Sequence, residues 1–198
     1  AAAMFMAKLS AETRFCLAGE PDVARAIEKL NDRMSVLDVE RFVTFLMVVI
    51  DPASDCVTIV NAGHMPPIVR NARSGEISEP GEEESGLPIA IDTGMDYEAV
   101  TLPVHTGDIM LLYTDGINEA MDSEDNEFGI EAIRELASKE TSTVKDRIVD
   151  AVLKHVGDAP PFDDMCLVVI RRTDCPVETN LDGAAEPSDD DIPDTSLK

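Results

Sequence analysis

Residues 42–50 form a nearly continuous apolar run, FVTFLMVVI, in which β-branched and aromatic side chains predominate. A short polar turn follows, and a second apolar run lies at 56–60. Two such runs joined by a turn are typical of a β-hairpin. Because the first run lacks polar alternation, both of its faces should be buried. We therefore predict that 42–50 is a central strand, with Phe42 or Phe45 filling the space between two packed layers.

Shorter apolar segments and helical periodicity predict the rest of the ordered chain. Further strands are predicted at 65–69, 97–102, 109–113 and 165–170. Helices are predicted at 1–17, at 130–137, at 144–156, and in a segment that has Pro21 in its first turn and carries Val23, Ile27, Leu30 and Met34 on one face. The segment 74–85 contains two glycines and five glutamates. We expect it to be an exposed loop.

The charge balance excludes whole classes of partner. Sixteen Lys and Arg stand against 40 Asp and Glu, a formal net charge of -24. Such a surface repels phosphate backbones and anionic lipid heads. The sequence therefore predicts no binding of DNA or other nucleic acid, and no membrane contact. Residues 173–198 are acidic and poor in large apolar side chains. We predict a folded domain at 1–172 and a disordered acidic tail at 173–198.

The cysteines and histidines predict neither a disulfide framework nor a zinc site. Cys16, Cys56, Cys166 and Cys175 show no CxxC spacing, and each of the three histidines lacks a second candidate ligand nearby. The longest apolar run is far shorter than the roughly 20 residues of a spanning helix. Reduced thiols and a cytoplasmic location are the prediction.

Three turns at predicted strand ends carry the candidate chemistry. In LLYTDG, Asp115 follows an apolar strand and precedes Gly116. In PFDDM, Asp163 and Asp164 directly precede the last strand. The third turn is NAGHMPP, which begins at residue 61 and contains His64. Taken singly, each of these is more often turn chemistry than a site.

A function follows if the sheets bring the carboxylates together. Clustered carboxylates resist joint ionisation unless a cation lies among them. Ligand sets made only of oxygen favour Mg²⁺ or Mn²⁺ over zinc, and such ions stabilise phosphoryl oxygens and lower the pKa of bound water. The chain has no GxSxG elbow and no GxxxxGK[ST] loop, which disfavours a hydrolase triad and a P-loop enzyme. The pattern thus favours metal-assisted hydrolysis of a phosphate ester.

The ordered set of motifs resembles a known family. AAxxM, FVTF, NAGHMPP, GLPIAI, GDIMLLYTDGINEA, EFG and FDDMCLVVIRR occur in that order over about residues 1–172. This succession resembles the metal-dependent (PPM-type) serine/threonine protein phosphatases, in the bacterial branch of stage II sporulation protein E and the stress-response phosphatases. The resemblance implies an α+β fold, a four-layer αββα sandwich of two antiparallel sheets flanked by helices. The predicted elements are compatible with it.

The resemblance also implies roles for individual residues. Asp115 and Asp163 match metal ligands of a Mn²⁺ or Mg²⁺ two-metal centre, and no side chain is the nucleophile, because a metal-bound water attacks the phosphate. Asp164 and Gly116 support these ligands, whereas Asn61, Gly63 and His64 match an architectural loop.

Two departures from the family pattern qualify this assignment. Cys166 stands where the family usually has threonine, which alters hydrogen bonding near the ligands without removing one. The family's first metal motif, Asp-x-x-Gly-His-Gly, is absent, and the chain starts where that motif would have ended. We expect the motif, with the first strands, to lie upstream of Ala1 in a parent protein, and this chain alone to be inactive.

Two functions remain open from the sequence. The first is hydrolysis of phosphoserine or phosphothreonine on a signalling protein, by family analogy an anti-sigma-factor antagonist. The alternative is a non-catalytic, phosphatase-like interaction module in bacterial signalling that has kept the fold and lost the metals.

Overall fold

The computed structural model describes residues 2–36, 41–139, 143–157, 159 and 163–173. The helices within these ranges are α1 (Ala2–Gly19), α2 (Val23–Ser35), α3 (Asp115–Asn118), α4 (Ile130–Ser138) and α5 (Val144–Val156). The strands are β1 (Phe45–Asp51), β2 (Cys56–Ala62), β3 (Ile68–Arg70), β4 (Ile77–Ser78), β5 (Ala99–Pro103), β6 (Ile109–Tyr113) and β7 (Leu167–Arg171).

The strands form two antiparallel sheets. One has the order β1-β2-β5, and the other has the order β4-β3-β6-β7. In the first sheet a hairpin pairs Asp51 with Cys56 across the predicted turn. In the second, β6 pairs with β7 so that Tyr113 lies opposite Leu167. Neighbours in each sheet therefore include strands that are far apart in sequence.

Apolar side chains fill three layers and so define the stacking. Between the sheets lie Val57 and Ile59 of β2, with Val69 and Met110 of the second sheet. A second cluster packs the other face of β2 against α1 and α2, and a third packs β3 and β6 against α4 and α5. The order is helices, sheet, sheet, helices. This confirms the predicted αββα sandwich.

The prediction for residues 42–50 was wrong in two respects. β1 begins at Phe45 and lies at the edge of its described sheet, where β2 is central. Phe42 is 63% exposed, and Phe45 packs in the cluster under α1 and α2. Side chains alternate along a strand, so Leu46 and Val48 are the residues of β1 that face the other sheet. Because helices cover one face and a sheet the other, an edge strand is apolar throughout.

The segment 74–85 is only partly the exposed loop that its composition predicts. It contains β4, and the side chain of Glu79 is 8% exposed. Arg134 of α4 binds that carboxylate through Nε and Nη2, at 2.7 and 2.6 Å. Gly81 is also buried, and its carbonyl accepts from Asn61 Nδ2. A glutamate count cannot reveal this burial, because the compensating guanidinium lies 55 residues away in sequence.

The helix and strand predictions otherwise hold, with small shifts at their ends. Pro21 lies just before the N-cap of α2 rather than in its first turn, because the Asp22 side chain accepts from Arg25 N at 3.2 Å. The predicted strand 109–113 and helix 144–156 have the predicted bounds. The predicted acidic tail lies, beyond Thr173, outside the described residues.

No helix in the described ranges combines the length and the apolar character needed to cross a membrane.

The two tyrosines give a direct test of this packing. Burial raises the pKa of Tyr97 to about 12 and, in the cluster under α4 and α5, the pKa of Tyr113 to about 12. An unfolded tyrosine has a pKa of about 10. Since the folded pKa is the higher one, the stability from these buried phenols is complete below pH of about 10 and is lost as pH rises towards about 12.

We expect absorbance at 295 nm to report this shift cleanly, because the chain has two tyrosines and no tryptophan. In the native protein both phenols should titrate near pH 12, and in urea near pH 10. A native titration centred near pH 10 would show that neither phenol is buried as described.

Candidate metal centre

The three predicted turns lie at one end of the sandwich. β6 ends at Tyr113 opposite the first residue of β7. β3 runs antiparallel to β6, with Ile68 opposite Leu111, so β3 begins at the same end. The NAGHMPP turn joins the end of β2 to that start of β3. The antiparallel register therefore gathers segments that are about fifty residues apart.

Gly116 brings the two acidic turns into contact. Asp115 is the first residue of α3, and Gly116 follows it in the buried interior. A Cβ built on Gly116 would lie 2.5 Å from the carbonyl oxygen of Asp164 and 3.5 Å from the carbonyl carbon of Asp163. Real Cβ atoms do not approach backbone so closely, so this position needs glycine. The residue after one predicted ligand thus packs on the backbone of the other.

Each predicted ligand uses one carboxylate oxygen to fix its own turn. Gly116 N donates to Asp115 Oδ1 at 2.9 Å, and Asp164 N donates to Asp163 Oδ1 at 2.6 Å. Asp115, Asp163 and Asp164 are all exposed. Within the described part of the chain, neither Asp115 nor Asp163 has a lysine or arginine partner. A bound cation would therefore meet no competing lysine or arginine at either carboxylate in those ranges.

This donor set fits a hard divalent cation in part. Carboxylate oxygens are the ligands that Mg²⁺ and Mn²⁺ prefer. The close packing of Gly116 on the backbone of Asp163 and Asp164 places the two acidic turns side by side. Over the ranges that the structure describes, no group of three or more His, Cys, Asp or Glu side chains is arranged to hold a metal. The described residues thus offer two acidic turns in contact and do not form a complete cage of ligands.

Asp164 contacts the neighbouring turn through its backbone carbonyl. Its carbonyl oxygen accepts from Thr114 Oγ1 at 3.3 Å and lies against Gly116. Thr114 N donates to Cys166 O at 3.1 Å, and Cys166 N donates to Thr114 Oγ1 at 3.0 Å. Thr114 was not among the residues predicted from the sequence. The signal for it was a threonine at the junction of a strand and a helix, where a hydroxyl can bind backbone groups.

The NAGHMPP turn is held by Asn61, which is 2% exposed. Asn61 Oδ1 accepts from His64 N at 2.9 Å, and Nδ2 donates to the carbonyls of His64 and Gly81 at 3.0 and 2.9 Å. Gly63 has φ +69°, and a Cβ there would lie 2.6 Å from Pro88 Cγ. These contacts make the turn rigid. The half-buried His64 places Nδ1 3.0 Å from the carbonyl oxygen of Met65.

Adding one methyl group at Gly116 tests the contact between the turns. We expect Gly116→Ala to destabilise the domain by about 1 to 3 kcal/mol, because the new Cβ must displace the Asp164 carbonyl. Urea denaturation measures this change. Gly19→Ala is the matched control, since nothing lies within 4 Å of a Cβ there. A Gly116→Ala protein as stable as the control would contradict the described packing.

Comparison with known proteins places this architecture in a family. The chain matches the family described as stage II sporulation protein E over residues 1–173. It is 23% identical over 152 residues to the protein IcfG of Synechocystis sp. (strain ATCC 27184 / PCC 6803 / Kazusa), which covers 74% of this chain and 24% of the relative. The chain therefore spans about a quarter of the curated relative it matches.

Solved structures share the fold. The PP2C phosphatase domain of the cell fate determinant SpoIIE from Bacillus subtilis, solved with a fragment of its regulatory domain, superposes with a TM-score of 0.66 at 20% identity. That match covers 85% of this chain and 49% of the other. The RsbU and RsbW domains of a Mycobacterium tuberculosis protein superpose with a TM-score of 0.65 at 22% identity, covering 88% and 49%. The family match extends over all of the described residues, and the chain belongs to the stage II sporulation protein E family.

Proposed function

We propose that the protein hydrolyses phosphoserine or phosphothreonine on another protein, with Mg²⁺ or Mn²⁺ held by Asp115 and Asp163. The contact of Gly116 with the Asp163–Asp164 backbone is the observation that carries this proposal. It brings the backbones of the two acidic turns into contact, and the exposed carboxylates of Asp115 and Asp163 lack a lysine or arginine partner in the described ranges. Membership in a family with solved phosphatase domains supports the same activity.

In this proposal the chain's own residues bind the metal ion and fix its position. Asp115 and Asp163 each hold one oxygen on a backbone N–H, which limits the orientation of the carboxylate, and both residues are exposed. When bound, a divalent cation supplies the positive charge that stabilises phosphoryl oxygens and acidifies water. Without such a cation a dianionic phosphate would be repelled by these carboxylates and by the net charge of -24 on the chain.

The exposure of the carboxylates supports a protein substrate. Asp115 and Asp163 are both exposed and lie at the end of the sandwich. A cavity of about 360 Å³ lies at the opposite end, next to residues 50–57 and 170–173, and none of the predicted site residues lines it. A phosphorylated side chain on a folded partner can reach an exposed site. The family analogy favours an anti-sigma-factor antagonist as this partner.

Metal removal tests the proposal. In the protein at its natural length, we expect Mn²⁺ to support release of phosphate from a phosphoserine peptide, and EDTA to abolish it. A phosphotyrosine peptide of the same sequence is the specificity control. The 198-residue chain supplies two carboxylates from its described residues, so it should bind Mn²⁺ weakly and turn over little substrate. Absence of metal-dependent release from the natural-length protein would favour a non-catalytic interaction module.

A further inference from the structure

Thr114 lies where β6 stops and α3 starts, and its backbone serves both elements. Its N–H continues the sheet by donating to Cys166 O at 3.1 Å. Its carbonyl belongs to the helix, because it accepts from Ile117 N at 3.0 Å. In an antiparallel ladder, two residues that form a hydrogen-bonded pair exchange both N–H···O bonds. The described backbone hydrogen bonds include the one from Ile117 N to the Thr114 carbonyl but none from Cys166 N to that carbonyl.

The Thr114 hydroxyl replaces that acceptor. Cys166 N donates to Thr114 Oγ1 at 3.0 Å, and Oγ1 donates to Asp164 O at 3.3 Å. One hydroxyl can do both, because it has one donor hydrogen and two acceptor lone pairs. The Thr114 side chain thereby contacts the segment 164–166 twice, at the Asp164 carbonyl and at the Cys166 amide.

The hydroxyl is not used for the purpose that its position predicts. Thr114 is the N-cap of α3, where a threonine side chain ordinarily accepts from the N–H of the second or third helical residue. In this protein the N-cap makes no side-chain capping hydrogen bond. The hydroxyl points across to the neighbouring segment instead, toward the residues that directly follow Asp163.

We infer that Thr114 is a positioning residue that sets the separation of Asp115 and Asp163, an inference that rests on the proposed metal site. Thr114 is bonded covalently to Asp115 and is hydrogen-bonded to the segment 164–166 that follows Asp163. The Gly116 contact limits how closely the segments approach, and the Thr114 hydroxyl prevents them from separating. The backbone of Cys166 makes these bonds, so the thiol found where the family has threonine leaves them intact.

Mn²⁺ binding to the natural-length protein, followed by water-proton relaxation, tests this inference. We expect Thr114→Val, which keeps the shape and removes the hydroxyl, to weaken Mn²⁺ binding about 10 to 100-fold, as loss of groups that orient metal ligands does. Thr114→Ser should bind as the wild type does. Thr101→Val is the matched control. The Thr101 hydroxyl pairs with that of Thr58, and both residues lie in the β1-β2-β5 sheet, away from Thr114.

The outcomes separate this inference from the proposed function. If the wild type binds Mn²⁺ and Thr114→Val binds it equally well, the positioning role is overturned while the metal site stands. If the wild type binds no Mn²⁺ through Asp115 and Asp163, the proposed function fails and the inference fails with it.

Should Thr114→Val not fold, amide hydrogen exchange in the wild type and in Thr114→Ser decides the question. A Cys166 amide protected in both proteins supports the hydroxyl contact, and exchange at the rate of an exposed amide overturns it.

Discussion

Replacement of Asp115 or Asp163 by asparagine is expected to lower metal-dependent phosphate release by the natural-length protein more than about a hundredfold. Loss of a group that merely orients a ligand costs about 10 to 100-fold in affinity or activity, and loss of a ligand should cost more. Asparagine keeps the size of the side chain and removes its charge. The two single variants should be about as inactive as the double variant, because groups that act as a unit have non-additive effects.

Two further variants make the comparison specific. Asp164 acts through its carbonyl oxygen, so Asp164→Asn should lose less activity than Asp163→Asn. Asp150→Asn, an exposed position on α5, should leave activity unchanged. Circular dichroism and thermal midpoints check that each variant is folded. Undiminished activity in both Asp115→Asn and Asp163→Asn would overturn the assignment of the site.

Removal of the Arg134 guanidinium is expected to destabilise the domain by about 2 to 4 kcal/mol, somewhat less than the roughly 3 to 5 kcal/mol lost when one partner of a fully buried ion pair is removed. Arg134→Met leaves the Glu79 carboxylate, 8% exposed, without the two hydrogen bonds that compensate its burial. The loss is smaller than for a fully buried pair because the Arg134 side chain is 35% exposed. Urea denaturation measures the change in the free energy of unfolding.

A second substitution distinguishes an orphaned charge from lost packing. Glu79→Gln in the Arg134→Met background removes the uncompensated charge, so the double variant should recover part of the lost stability. Arg25→Met is the control, because its ion pair with Asp22 is 4.0 Å long and exposed, and such pairs contribute about 0 to 1 kcal/mol. If Arg134→Met were as stable as Arg25→Met, the buried pair would not be present in solution.

Elements with a strong periodic pattern could be predicted from the sequence. Val144–Val156 places Ile148, Val152 and Val156 on one face, and the structure has this helix with the predicted bounds. Ile109–Tyr113 is equally well delimited, because polar or glycine residues stand on both sides. Local sequence contains all of the information needed for such elements.

The apolar run at 42–50 shows where this reasoning stops. Apolar character indicates that both faces of a strand are covered, but it does not give the strand's neighbours. β1 is covered by helices on one face and by the second sheet on the other, although it lies at a sheet edge. The order of strands depends on pairings between distant residues, such as Val60 with Ala99. No local pattern contains that information.

The candidate site could be predicted from the sequence only in part, because its contacts also depend on the pairing of distant strands. Acidic residues at strand ends indicated where a cation could be held, and the family resemblance implied that Asp115 and Asp163 belong to one metal centre. The contact of Gly116 with the Asp164 carbonyl, and the diversion of the Thr114 hydroxyl from helix capping, arise only when β6 and β7 pair. These contacts are properties of tertiary structure and have no signature in either segment alone.

The claim that Asp115 and Asp163 hold one divalent cation together is tested most directly by a Mn²⁺ titration of four proteins. Electron paramagnetic resonance reports the free Mn²⁺ in the presence of the natural-length wild-type protein and its Asp115→Asn, Asp163→Asn and double variants. If both carboxylates bind the same ion, the wild type removes Mn²⁺ from solution, and either single substitution weakens binding as much as both together. Equal binding by all four proteins, or independent losses that add, would contradict a shared site.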